Sequence, residues 1–151
     1  MATNGFEFVG WIDGRESGPR ILDWDMVADA SGYAKGDALI IDSAGRMDKV
    51  AANQDEVSAI CMETQTTAVS NDDHLKVAIV TKGQIWRCSA DAAACAALEG
   101  YTKTLNFVDE NTIDATPTTG GAMICWKVDT SEDTTYATVY VTFADTTWEN
   151  A

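Results

Sequence analysis

The only histidine of the chain, His74, follows the acidic run Asn71-Asp72-Asp73 and opens an apolar run. A Ser-His-Asp or Cys-His device would have to use it, yet its place at a loop–strand boundary fits an edge residue with no role. The four cysteines, Cys61, Cys88, Cys95 and Cys125, are separated by 26, 6 and 29 residues, without the close pairs of zinc sites. Cys61 in "VSAICME", Cys88 in "IWRC" and Cys125 in "MICWKV" sit in strand-like apolar runs and read as buried free thiols. Disulfides formed later, outside a cell, are the alternative. "DWD" (23–25), "NDD" (71–73), "DEN" (109–111) and "SED" (131–133) each bring carboxylates close together. None reproduces the EF-hand loop with its central Gly and terminal Glu, so they read as solvated turns. A carboxylate pair for glycoside hydrolysis is defined by its separation in space, and nothing in the sequence singles one out among 24 acidic residues. Gly120-Gly121 and Lys82-Gly83-Gln84 lack the context of a phosphate loop. The expectation is a protein without catalytic residues, metal or cofactor, and not an enzyme.

At 151 residues the chain is expected to form one domain. Ten basic against 24 acidic residues give a formal charge of −14, which repels nucleic acid and anionic membranes and favours solubility. Neither is an expected partner. The start "MATNGFEF" lacks the basic and apolar segments of a signal peptide, and no apolar run approaches the roughly 20 residues of a membrane span. Synthesis in a reducing cytoplasm is expected. With 18 Thr and only 2 Pro, the composition favours strands.

Any binding surface must be positioned by these strands. "GDALIIDSAGRMDKVA" (36–51) reads as strand 38–41, a turn at 42–45 and a returning strand at 47–50. "EVSAICM" (56–62) is a strand, and "HLKVAIV" (74–80), Lys82-Gly83 and "QIWRC" (84–88) read as a second hairpin. "SADAAACAALEG" (89–100) predicts a short helix with Ser89 as N-cap and Gly100 at its end. "GAMICWKV" (121–128) and "YATVYVTF" (136–143) are strands, the latter alternating cleanly. Residues 1–35 read as an N-terminal arm and connector, 36–143 as the β-rich domain, and 144–151 as a loose tail. In the arm, Phe6 and Phe8 alternate with Glu7 and Val9 as in a strand. The expected class is mainly β, a small barrel or sandwich with one short helix and an extended N-terminal arm.

Five tryptophans complete the inventory. Trp86 and Trp126 lie in predicted strands and are expected in the core or a subunit interface. Trp11, Trp24 and Trp148 lie in the arm and tail, where they either fold back on the domain or form a partner surface.

The order "GDALIIDSAGRMDKVAANQDEVSAICMET", "HLKVAIVTKGQIWRC" and "GAMICWKVDT…YATVYVTF" resembles the decoration (cement) proteins of tailed-phage capsids, including the lambda-type head decoration group. The positions that carry the resemblance are Gly36-Asp37, Val77 to Ile85 and Ala137 to Phe143. It implies a β-tulip domain that trimerises on the outer surface of the virion, at three-fold or quasi-three-fold positions, and contacts the major capsid protein. It further implies that an N-terminal arm adds a strand to coat-protein segments, here with Phe6, Phe8, Trp11 and Ile12 as the shell contacts. Deleting residues 1–12 is then expected to leave a folded domain that no longer binds heads. The chain is longer than the smallest members of the group, notably in its arm and its 101–120 stretch. A carbohydrate-binding or adhesin module stacking Trp11, Trp24 or Trp148 on sugar rings is the alternative reading.

Overall fold

The computed structural model describes residues 5–93 and 104–149. The protein is mainly β, with twelve strands among the described residues: β1 (Glu7–Trp11), β2 (Ile21–Asp25), β3 (Ala38–Ile41), β4 (Met47–Lys49), β5 (Ala59–Cys61), β6 (His74–Ile79), β7 (Gln84–Ser89), β8 (Thr104–Leu105), β9 (Phe107–Asp109), β10 (Thr112–Ile113), β11 (Met123–Asp129) and β12 (Thr138–Phe143). They form two five-stranded sheets, in the orders β1-β7-β12-β11-β8 and β2-β6-β5-β3-β4, and a two-stranded β9–β10 ribbon. All strand pairs are antiparallel.

The main core lies between the sheets. Ala38, Ile60, Ala78 and Val80 from the second sheet meet Trp86, Cys88, Cys125, Val139 and Val141 from the first. The alternate residues Leu39, Ala59, Cys61, Leu75 and Val77 face the other way, into a second cluster with Met26, Tyr33 and Val69. This sheet is therefore buried on both faces, which explains why "ALII" and "AIC" read as continuous apolar runs rather than alternating ones.

The hairpin expected at 36–50 is present. β3 pairs with β4 in the register Leu39↔Lys49 and Ile41↔Met47, and Asp42 closes the turn by accepting from the N–H groups of Ala44 and Arg46. The second expected hairpin is not one. β6 and β7 belong to different sheets, and residues 80–83 form a corner that carries the chain between them. Gln84, 1% exposed, braces this corner. Its amide oxygen accepts from Thr81 N–H and Trp86 Nε1, both at 3.1 Å. Its Nε2 donates to Ile79 O at 2.9 Å.

The expected barrel-like closure does not occur: the sheets stay open, with β1 and β8 at the edges of one and β2 and β4 at the edges of the other. The expected helix does not begin at Ser89, which ends β7. Ala90 and Asp91 instead donate to Ala137 O and Ile113 O, so their backbone is held in bridges. The remainder of that segment, with Cys95, lies outside the described residues. The tail expected to be loose is docked through Thr146, which bridges Val57, followed by a 3-10 turn at Thr147–Glu149. Trp148 Nε1 donates to Ser58 O at 2.7 Å, and the Ser58 and Thr147 hydroxyls pair at 2.6 Å.

Candidate binding surface

β1 (Glu7–Trp11) lies along β7 as an edge strand of the first sheet, and Gly5 and Phe6 lead into it. Phe6 is 3% exposed and sits in the main core against Phe107 and Phe143, with ring centroids 5.7 and 5.6 Å away. The entry of this strand depends on two glycines, Gly5 (φ +92°) and Gly36 (φ +98°), packed backbone to backbone. A Cβ on Gly36 would stand 2.8 Å from the Gly5 Cα. That contact lets Phe6 N–H reach Gly36 O at 2.8 Å. Phe6 is therefore a core side chain, reaching the surface only in the wall of a groove it shares with Phe8, Met62 and Trp86. Deleting residues 1–12 would also remove a core side chain along with any contact.

Phe8 is half-buried, edge-on to Trp86 at 5.3 Å and to Trp11 at 6.0 Å. Trp11 is half-buried beneath the Arg15 guanidinium, 4.3 Å from its ring, and its indole N–H donates to Ser17 O at 2.6 Å. Ile12 is 51% exposed and Val9 46% exposed. Val9 projects outward at a bulge in the β1–β7 register. Of the expected contacts, then, Phe6 and Phe8 are inward, Trp11 is intermediate, and Ile12 is at the surface. Val9, outward beside exposed Glu7 as strand alternation has it, was not among the expected contacts.

Beside β1, Phe6, Phe8, Met62 and Trp86 line a groove of about 440 Å³ between the two sheets, with Glu7 and Lys35 at its rim. Glu7 is held by Arg87 in an ion pair of 2.7 Å. A second apolar groove, about 310 Å³, lies on the far side of the second sheet between Leu22, Trp24, Ile79 and Trp148, with Arg20 at its lip. Trp24 and Trp148 stand 5.6 Å apart, and Trp24 Nε1 donates to Gly45 O at 2.8 Å. All three arm and tail tryptophans have thus folded back onto the domain. Trp86 is in the core, while Trp126 is half-buried on the outer face of the first sheet and donates to Thr142 Oγ1 at 3.1 Å.

The groups that could do chemistry are placed as follows. His74 is exposed and paired with Asp25 at 2.6 Å. Cys61, Cys88 and Cys125 are buried free thiols; burial pushes Cys61 up to about 11 and raises Cys88 further. The acidic clusters are engaged in turns and pairs: Asp72 with Arg46, Asp23 with Lys76, and Asp109 accepting from Asn111 N–H. Among the described residues, no three His, Cys, Asp or Glu side chains converge as a metal site, and no helix is long and apolar enough to cross a membrane.

Comparison with models of protein families, with curated proteins and with solved structures finds no match for this chain.

Proposed function

We propose that this chain is a structural virion protein that binds the outer surface of a phage capsid and stabilises the expanded shell. In this reading its two-sheet body belongs to the β-tulip group and acts as a homotrimer on the major capsid protein. One observation supports it most: an edge strand, β1, and the turn after it carry exposed apolar side chains at Val9 and Ile12, beside an open apolar groove. An edge strand offers unpaired backbone groups, and a neighbouring groove takes alternate side chains of an added segment. The proposed contacts are Val9 and Ile12, with Trp11 supporting Ile12 and with Phe6 and Phe8 as groove walls. Each protomer alone would bind weakly, and three on one trimer can multiply affinity by about 10²–10⁴.

Val9→Asp and Ile12→Asp together should leave stability within about 0.5 kcal/mol, because both positions are exposed. Head binding should nevertheless fall by about tenfold or more, each factor of ten being ~1.4 kcal/mol. Wild-type binding by the double variant would remove the β1 margin from the proposal.

The second reading, a carbohydrate-binding module, is favoured by the preordered Trp24–Trp148 pair lining its own groove. Aromatic faces held in place suit stacking on an apolar sugar face. It requires a shift in tryptophan fluorescence on glycan addition that is lost in Trp148→Ala. A flat response across a broad panel counts against it.

A further inference from the structure

A small polar pocket of about 160 Å³ forms where the loop before β3 meets the 64–66 loop and the β9–β10 turn. Its lining includes Asp37, Glu110, Asn111, Thr64, Thr66 and Lys49. Asp37 is 2% exposed. Its Oδ2 accepts from Ala34 N–H at 2.9 Å, whereas its Oδ1 is buried and receives no hydrogen bond. The Asn111 side chain hydrogen-bonds to the carboxylate group and favours its ionised form, yet Oδ1 is left without a partner of its own. Burial raises the Asp37 carboxyl above the usual carboxylate range, and Glu110 pushes the same way. The Lys49 ammonium, which also lines the pocket, favours the ionised carboxylate from a distance, while its direct contacts are with Asp29 at 3.2 Å and over the Tyr33 ring at 5.2 Å. A buried carboxylate oxygen without a partner is costly and calls for a ligand.

We propose that this pocket binds a hard, oxygen-liganded cation of the calcium class, anchored on Asp37 Oδ1. The pocket offers two carboxylates, an amide and two threonine hydroxyls, a donor set suited to a hard cation rather than to a thiol- or imidazole-seeking metal. Its volume admits an ion with part of its hydration shell, a water occupying roughly 30 Å³. The three contributing segments are already joined: Lys35 N–H donates to Thr64 Oγ1 at 3.0 Å, Tyr33 N–H to Gln65 O at 2.9 Å, and Ala38 N–H to Glu110 O at 2.7 Å. With only two carboxylates the affinity should be low, with Kd on the order of 10⁻⁴–10⁻³ M.

The test is titration calorimetry of the full chain, stripped with chelator, against calcium chloride at constant ionic strength, paired with thermal unfolding in the same buffers. The expected result is one site per chain and an unfolding midpoint that rises with calcium by mass action. Asp37→Asn, which keeps an oxygen for Ala34 N–H, should abolish both signals, and Glu110→Gln should weaken both. If Asp37→Asn does not fold, Glu110→Gln and Thr64→Ala carry the comparison. Absence of any heat or midpoint shift in the wild type with calcium overturns the proposal. So does an equal response in wild type and variants, which would assign the cations to the diffuse acidic surface.

Discussion

Gln84→Leu should cost roughly 2–5 kcal/mol of folding stability, since a buried group left without its partner costs about 1–3 kcal/mol. Three groups lose their partner at once: Thr81 N–H, Trp86 Nε1–H and Ile79 C=O. Leucine nearly matches the volume, so the loss would come from hydrogen bonding rather than from a cavity. All three groups lie at or beside the corner that takes the chain from β6 to β7, so the damage falls on the junction between the sheets. Chemical denaturation is the direct check: the midpoint should fall with the slope unchanged. A change below about 0.5 kcal/mol, the range of ordinary surface substitutions, would show that the corner does not depend on this side chain.

Gly32→Ala should be comparably damaging, by roughly 2–5 kcal/mol from left-handed backbone strain and overpacking combined. Gly32 has φ +76°, and a Cβ there would lie 1.8 Å from Gln65 O and 2.6 Å from Thr67 O. Both obstacles are backbone, so no side chain can swing aside. The 27–35 loop would have to lift from the 64–69 segment, breaking the paired bonds between Tyr33 and Gln65. That would uncover Tyr33, whose hydroxyl donates to Val27 O at 2.7 Å, and with it the second cluster at Met26 and Val69. Denaturant midpoints and near-ultraviolet circular dichroism of the tyrosine environment should both report the loss. An unchanged midpoint would mean that the two loops separate without cost.

How much of this was legible in the sequence varies by element, for physical reasons. The β3–β4 hairpin was readable because its register is fixed by a local turn whose residues, Asp42 to Gly45, supply their own hydrogen bonds. The 74–88 segment shows the limit of the same logic. A Lys-Gly turn between two apolar strands looks alike whether the strands pair with each other or part into different sheets. The distinguishing signal was Gln84, a polar residue on the inward face beside Trp86, and its meaning depends on burial. The arm and tail were misread for a related reason. Isolated aromatics such as Phe6 and Trp148 acquire a partner only through long-range packing, on Phe143 and Trp24 respectively. The 101–120 stretch hid Phe107 and Ile113, both core residues, in strands too short to show a period.

For the proposed surface, the strand expected in the arm is present as β1, but its exposed and buried side chains are not those expected as contacts. Ile12 and Val9 are at the surface, Val9 on the same outward face as Glu7, whereas Phe6 is in the core. The Asp37 pocket was not legible at all. Its residues come from three separated segments, and Asp37 looked like the opening residue of a hairpin.

The most direct test of the proposed function is co-sedimentation of the purified protein with expanded tailed-phage heads assembled from the major capsid protein proposed as its partner. Saturable pelleting with heads, at a fixed ratio to coat subunits and with heads that better resist disruption, is the expected result. Protein that stays in the supernatant at micromolar concentration while remaining folded would contradict the proposed function.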